Sequence, residues 1–356
     1  MRVTDCIARI EAVADPARAA SWDRCGVQIA GTVADCTRLA LALDPLPGLV
    51  EDALDWGAQL ILTHHPLTLS PRLPDRVDDL HRVLTLVLGR GATLYSAHTS
   101  LDVVTDGPAG WLAEALELVN RRILEPAGCV PFVSLRFALP RGTAETEVAS
   151  AQAGLAALPG VTALRPAPDE IEAICARALR GPVQAALATA LPGAKLAATT
   201  ELAEPCAPYG YGLVGDLPRP LSGEALLARL GTLLDRSFFT LAGRLPASVG
   251  RLAYCPGSGA DMAGRAFAAG ADVFVTGDLK YHLAQVVPAD KCLVDVGHFS
   301  LEEVMLRRFA ADLAASLGPD GPEVRYFAGT DPITAHFPVG TAAPGRNNHS
   351  ETPSCT

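Results

Sequence analysis

Histidine and carboxylate recur together at a few points of this 356-residue chain: Asp44, the pair His64 and His65, His98 with Asp102, Asp278, and His298 with Glu302. Four of the eight histidines fall in this set. Imidazole and carboxylate together suit Zn, Mn, Fe(II), Co or Ni, and the set contains no cysteine, which argues against a closed structural zinc site. Adjacent side chains on an extended backbone point to opposite sides, so His64 and His65 reach two ions more readily than they chelate one. Two metals is the economical reading, with a carboxylate such as Glu302 able to bridge them. Each residue also has an ordinary role open to it. A histidine at a strand end caps or hydrogen-bonds, Asp102 can cap a turn, and Glu302 can match a helix dipole for about 0.3 to 1 kcal/mol. The coincidence of several at one edge weighs against those roles in combination. Gly257, Ser258 and Gly259 read equally as a phosphate-cradling turn and as a plain connection. His81, His336 and His349 fall away from this edge and take no role.

These residues sit where short apolar runs stop. Strand-like runs at 39–43, 60–63 and 92–96 end beside Asp44, His64 and His98, and alternate with helical periodicity over 49–56, 77–88 and 110–118. The same alternation returns late: strands at 252–255, 273–276 and 293–296, helices over 262–269 and 301–317. Ser300 has capping-box spacing to Glu303, which places Ser300 at the N-cap of the last helix and Glu302 in its first turn. Strands apolar on both faces and alternating with helices imply a parallel sheet covered on both sides. Ligands of such sheets bind beyond the carboxyl ends of the strands.

The middle of the chain differs. A strand at 134–139, an Ala-rich helix over 144–158, strands at 161–164 and 171–176, a helix over 182–191 begun by Pro182, and a strand at 195–200 give the order βαββαβ, the ferredoxin-like split unit. Residues 339–356 are small and polar and read as a disordered tail. An apolar share of 49% against 19% charged excludes a disordered chain. The formal charge of −10 works against wrapping a nucleic-acid backbone, which needs clustered Lys and Arg. The start lacks a secretory h-region and no stretch has 18 uninterrupted apolar residues, so the expectation is a soluble cytoplasmic protein without a membrane partner. Nine cysteines, odd in number and without a C-x-x-C pair, read as reduced thiols filling apolar space.

The segments 21–28 (SWDRCGVQ), 62–67 (LTHHPL), 97–102 (AHTSLD), 276–282 (TGDLKYH) and 295–302 (DVGHFSLE) resemble, in order and spacing, the dinuclear metal-centre hexameric proteins. This is the Nif-three-like family, often labelled GTP cyclohydrolase I type 2 homologue. The resemblance covers about residues 1–126 and 206–335. It implies a layered α/β metal-binding domain built from 1–126 plus 206–338, with 127–205 as an inserted, shortened PII-like βαββαβ domain. The stretch 210–216 (GYGLVGD), with a helix from about Ser222, resembles the point where the main domain resumes. The family's ligand pattern falls on His64, His65, Asp102, His298 and Glu302. By the same resemblance Glu302 bridges two divalent ions, His65 and Asp102 complete one, and His64 and His298 the other. A toroidal homohexamer is implied too. One departure stands out: where the family often shows a Gly-Val-Asn-Asp-like run, this chain has Asp106-Gly-Pro-Ala-Gly110.

The expected function is a metal-dependent hydrolase acting on a nucleotide or similar anionic small molecule. His98 is the candidate general acid or base, and Lys280 and His282 are candidates for contacting the anion. A non-enzymatic metal-binding hexameric scaffold or regulatory protein, and a dinuclear phosphoesterase, share the same ligands and remain alternatives.

Overall fold

The computed structural model describes residues 1–158 and 160–336. The segment read as a tail, 339–356, lies outside them. The first part of the chain forms α1 (Val3–Glu11), β1 (Gly26–Ile29), β2 (Arg38–Ala42), α2 (Pro47–Asp55), β3 (Leu60–Thr63), α3 (Asp79–Arg90), β4 (Thr93–Ser96), the single turn α4 (Thr99–Asp102) and α5 (Trp111–Ala115). There follow β5 (Val119–Ala138), α6 (Glu145–Ala156), β6 (Val161–Leu164), β7 (Glu170–Ala176), α7 (Arg180–Ala190) and β8 (Lys195–Leu221). The last part holds α8 (Gly223–Leu234), β9 (Thr240–Gly243), β10 (Val249–Tyr254), α9 (Ala263–Ala268), β11 (Val273–Thr276), α10 (Tyr281–Ala284), β12 (Cys292–Asp295), α11 (His298–Leu317) and β13 (Glu323–Phe327).

The strands form two sheets, not one. A five-stranded sheet runs β1-β4-β3-β2-β13, parallel except for β1. An eight-stranded sheet runs β6-β7-β5-β8-β10-β11-β12-β9, in which only β10-β11-β12 is parallel. The expectation of a simple parallel sheet is corrected to two mixed sheets. Apolar periodicity reports that a strand is buried on both faces but not which sheet it joins or in which direction.

Alternation along each strand explains the layers. Leu39, Leu41, Leu60 and Leu62 of the first sheet share one core with Leu252, Tyr254, Val273, Val275 and Val294 of the second. Val3, Cys6 and Ile10 of α1 and Leu301, Met305 and Phe309 of α11 fill the space between. The intervening residues face away: Ala40 and Ile61 pack with α2 and α3, Ala253, Phe274 and Leu293 with α9. The βαββαβ segment has its own core, from Val133 and Leu135 of β5 through Ala173 of β7 to Val183 and Leu187 of α7. Its four strands take the order β6-β7-β5-β8.

Three local expectations change. α11 starts at His298 with Gly297 as its N-cap, so Ser300 lies inside the helix and Glu302 beyond its first turn. The Ser300 hydroxyl accepts from Arg236 Nη1 at 3.1 Å instead of capping. α7 starts at Arg180, two residues before Pro182, where the missing N–H falls among donors that have no intrahelical partner anyway. Cys129 and Cys206 form a disulfide, with Cα atoms 5.7 Å apart, whereas six of the other cysteines are free thiols. They lie 77 residues apart, and only the pairing of β5 with β8 brings them together.

Candidate metal centre

His64 and His65 continue the line of β3. Their amides donate to Ala42 O at 3.3 Å and Leu43 O at 3.0 Å, and Ser96 Oγ donates to His64 O at 2.8 Å. Asp102 closes α4 after β4. His298 and Glu302, four residues apart, share one face of α11. That spacing explains why α11 starts earlier than capping-box logic predicts, since a start at Ser300 would leave His298 outside the helix and off Glu302's face.

These five side chains converge. Glu302 Oε2 lies 2.9 Å from His298 Nε2 and 3.2 Å from His65 Nε2. Glu302 Oε1 lies 3.5 Å from His64 Nε2, which is itself 3.5 Å from Asp102 Oδ1. These five make two ligand groups, His65, His298 and Glu302 on one side and His64, Asp102 and Glu302 on the other, and His98 forms a third with His64 and His65. The pairing implied by resemblance, His65 with Asp102 and His64 with His298, is thus exchanged in the geometry, because α11 brings His298 to His65 and α4 brings Asp102 to His64.

Every histidine here is anchored through Nδ1. His64 Nδ1 donates to Ala97 O at 3.0 Å, His65 Nδ1 meets Asp44 Oδ1 at 2.6 Å, His298 Nδ1 meets Asp278 Oδ2 at 2.7 Å and His98 Nδ1 meets Asp23 Oδ1 at 2.9 Å. Such anchoring fixes the tautomer that leaves Nε2 as the free lone pair, the arrangement found around metal-ligating imidazoles. His64 Nε2, Asp102 Oδ1 and Glu302 Oε2 are buried and make no hydrogen bond. Buried polar atoms are normally paired, and three orphans spread over these two ligand groups fit divalent cations.

The charges agree. Burial works against ionised Glu302, but His64, His298 and His65 around it hold its carboxyl well below the usual range. Burial disfavours charge on His65 too, yet the hydrogen bond to Asp44 and the neighbouring Glu302 carboxylate push it up to about 10. His298 is raised to about 9 by Glu302 and Asp278 against the same opposition. Asp102, where burial outweighs His64, is raised. The carboxylates at this point demand positive charge, which protons or a metal can supply.

A cavity of about 590 Å³ opens over the centre, with His65, His98 and His298 in its lining. Its walls include Trp22, Leu69, Tyr211, Glu125 and Met262. The His98 ring lies 5.1 Å from that of His64 and 5.4 Å from that of His65. Lys280 and His282 are exposed and outside this lining. Asp23 had no assigned role in sequence reasoning. Its side chain is fully buried and accepts from His98 Nδ1, the Arg24 and Thr99 amides, the Thr99 hydroxyl and the Cys25 thiol. The only signal for it is its place in the 21–28 segment. Asp44 and Asp278 were visible at strand ends, but their partnership with His65 and His298 was not.

Comparison with known proteins agrees with this architecture. The family model described as Duf34/NIF3 (NGG1p interacting factor 3) matches residues 1–329. A protein of Listeria innocua named GTP cyclohydrolase 1 type 2 homolog is 27% identical over 328 residues, covering 83% of this chain and 88% of the relative. One of the same name from Mycobacterium leprae is 28% identical over 342 residues, 85% of this chain and 87% of the relative. The crystal structure of a Bacillus cereus protein related to NIF3 superposes with a TM-score of 0.77 at 25% identity, covering 94% of this chain and 99% of that one. With its two mixed sheets and the residues gathered between them, the chain belongs to the Duf34/NIF3 family.

Proposed function

We propose that this chain is a divalent-metal-dependent hydrolase of the GTP cyclohydrolase 1 type 2-like group, acting on a nucleotide or similar anionic small molecule. The observation that carries the reading is the set of buried, unpaired His64 Nε2, Asp102 Oδ1 and Glu302 Oε2, converging with two further imidazoles at the floor of a cavity. His64, Asp102 and one oxygen of Glu302 would hold one ion, His65, His298 and the other oxygen a second. Zn, Mn, Fe, Co and Ni all suit this donor set. Bound there, such ions would supply acidification of a water, from a pKa of about 15.7 toward about 7, and a Lewis-acid site for an electrophile's oxygen.

The chain's own residues do the rest. Asp44 and Asp278 lock the imidazoles of His65 and His298 so that Nε2 faces the centre. His98, oriented by Asp23, presents Nε2 as the group that takes or gives a proton during attack. Trp22, Leu69 and Met262 give the cavity an apolar side that excludes water from a bound substrate. The same reading makes the protein a cytoplasmic homohexamer with 127–205 as a PII-like insertion, which light scattering and a truncation of that segment would examine.

The test is turnover of GTP and a panel of phosphoesters by metal-loaded protein, beside His65→Ala and Glu302→Ala. Loss of turnover in both is expected. Activity that survives in a metal-free double variant would end the proposal, and two tightly held ions without turnover on any substrate would leave a metal-binding scaffold in its place.

A further inference from the structure

We infer that the Cys129–Cys206 disulfide is a reversible thiol-exchange site that clamps the waist between the two-sheet body and the βαββαβ segment, and so sets the position of the cavity wall. The chain enters that segment along β5 and leaves it along β8. Both strands are long enough to belong to two cores. Val133, Leu135 and Phe137 of β5 and Leu196 at the start of β8 pack within the βαββαβ segment, whereas Ile123, Leu124, Leu213 and Val214 pack in the body. Residues 126–131 and 205–210 belong to neither core.

The ladder is irregular at both ends of that stretch. Its register shifts between Pro126 and Gly128, and between Pro131 and Val133 the partner jumps from Cys206 to Glu201. Pro126, Pro131, Pro205 and Pro208 each lack the N–H a ladder needs. The disulfide joins the two strands across the short paired run between those shifts, Gly128 to Pro131 against Cys206 to Tyr209. Cys129 is exposed and Cys206 half-buried, so a small thiol can reach the bond.

The same strands carry cavity residues. Glu125 is four residues from Cys129 and Tyr211 five from Cys206, and both line the cavity over the metal centre. At about 3.3 Å per residue the clamp acts some 13 to 17 Å from them along each strand. A closed clamp holds Glu125 and Tyr211 in register with each other, and an open one lets the proline-rich waist flex and the wall move. The exchange balances with a low-molecular-weight thiol such as glutathione. A thiolate attacks one sulfur to form a mixed disulfide, and a second thiol displaces it. The net products are the Cys129 and Cys206 thiols and one molecule of the oxidised small thiol. The reverse reaction returns two electrons and two protons to the small disulfide.

The test uses the full chain in glutathione buffers of graded reduced-to-oxidised ratio. Alkylation followed by mass spectrometry of unreduced peptides reads the bond, and amide hydrogen exchange reads the strands. Expected are a Cys129–Cys206 linked peptide in oxidised buffer and two alkylated cysteines in reduced buffer. Exchange in 122–131 and 203–213 should be at least tenfold faster when reduced, with β10, β11 and β12 unchanged. The double variant Cys129→Ser with Cys206→Ser should show the fast pattern in every buffer. Two free thiols in fully oxidised buffer would overturn the inference. So would equal exchange of both segments in wild-type protein with the bond closed and open, a comparison that needs no variant to fold.

Discussion

Gly257→Ala is the sharpest single test of the proposed metal centre, because it moves one proposed ligand without removing it. Gly257 has φ +63° and sits in the cavity lining, and its carbonyl accepts from the Gly277 amide at 2.9 Å. A Cβ added there would lie 2.3 Å from Glu302 Oε1 and 3.6 Å from His298 Nε2. Ordinary contact begins near 3.4 Å, so the carboxylate oxygen must retreat by about 1.1 Å (3.4 − 2.3). Metal–ligand bonds tolerate about 0.2 Å. The left-handed backbone adds roughly 1 to 2 kcal/mol of strain for any residue with a Cβ. The expected result is a loss of folding stability of that order, and a loss of metal affinity of at least about 100-fold, or about 2.7 kcal/mol. Competition with a chromophoric chelator reads the second, urea unfolding the first. Gly264→Ala, on α9 with open space around the new methyl, is the control. It should bind metal normally and gain about 0.5 to 1 kcal/mol of stability. A Gly257→Ala protein that binds the same number of ions within threefold of wild-type affinity would refute the assignment of Glu302 as the shared ligand.

Elemental analysis should find about two ions per chain in saturated wild type, one in Asp102→Asn and none in Glu302→Gln, since only Glu302 serves both groups; equal metal content in all three contradicts the bridging role. Free metal at a thousand times its Kd should stabilise the fold by about 4 kcal/mol, because both sheets supply ligands; a melting temperature unmoved by chelator rejects this. Trp111, 2% exposed, donates from Nε1 to Leu301 O at 3.2 Å, and Trp111→Ala should cost about 3 to 5 kcal/mol in urea unfolding. A cost below 1 kcal/mol would show that this contact does not brace α11. Burial raises the Asp23 carboxyl, but hydrogen bonds from His98 and Thr99 outweigh it and hold the group well below the usual range. A depressed folded value means stability that is present above the unfolded value of about 4 and lost as pH falls toward the folded one. The gap in unfolding free energy between wild type and Asp23→Asn should be flat from pH 8 to 5 and shrink below pH 4, and a gap undiminished at pH 3 would sink the argument.

The residues at the strand ends were legible because the physics that places them is local. β3 and β11 are found at the bounds their apolar runs suggest, since a run that stops at His64 or Gly277 marks both the end of burial and the start of the loop. What went unread depends on distant partners. β13 exists because Glu323 to Phe327 pair with Arg38 to Ala42, nearly 300 residues away, and nothing in its own five residues states that. The Cys129–Cys206 bond follows from the pairing of β5 with β8 and is invisible to cysteine spacing. Ser300 misled because a capping box is a local pattern, whereas the Gly297 turn is fixed by its amide donating to Asp295 Oδ1 at 2.8 Å and by Arg236 packed against it. α1 carries a signal of its own in the sequence: Val3, Cys6 and Ile10 lie on one helical face and all are buried.

The two sheets explain why such a polar cluster can be buried at all. His64, His65 and Asp102, with Asp44 behind His65, follow strands of the five-stranded sheet, and Asp23 just precedes its β1. Asp278, His298 and Glu302 follow strands of the eight-stranded one. Neither sheet alone buries an unmatched charge, because each set includes both imidazole and carboxylate. Only when the shared core closes does Glu302, 3% exposed, become enclosed by His64 and His65 from the opposite sheet. That core is formed by alternate residues of strands from both sheets with α11 between them. The helix that supplies the apolar face of the closure, through Leu301, Met305 and Phe309, therefore also supplies the carboxylate common to both ligand groups. Packing and ligand geometry are set by one element, so a change that shifts α11 in the core must also shift Glu302 relative to His64.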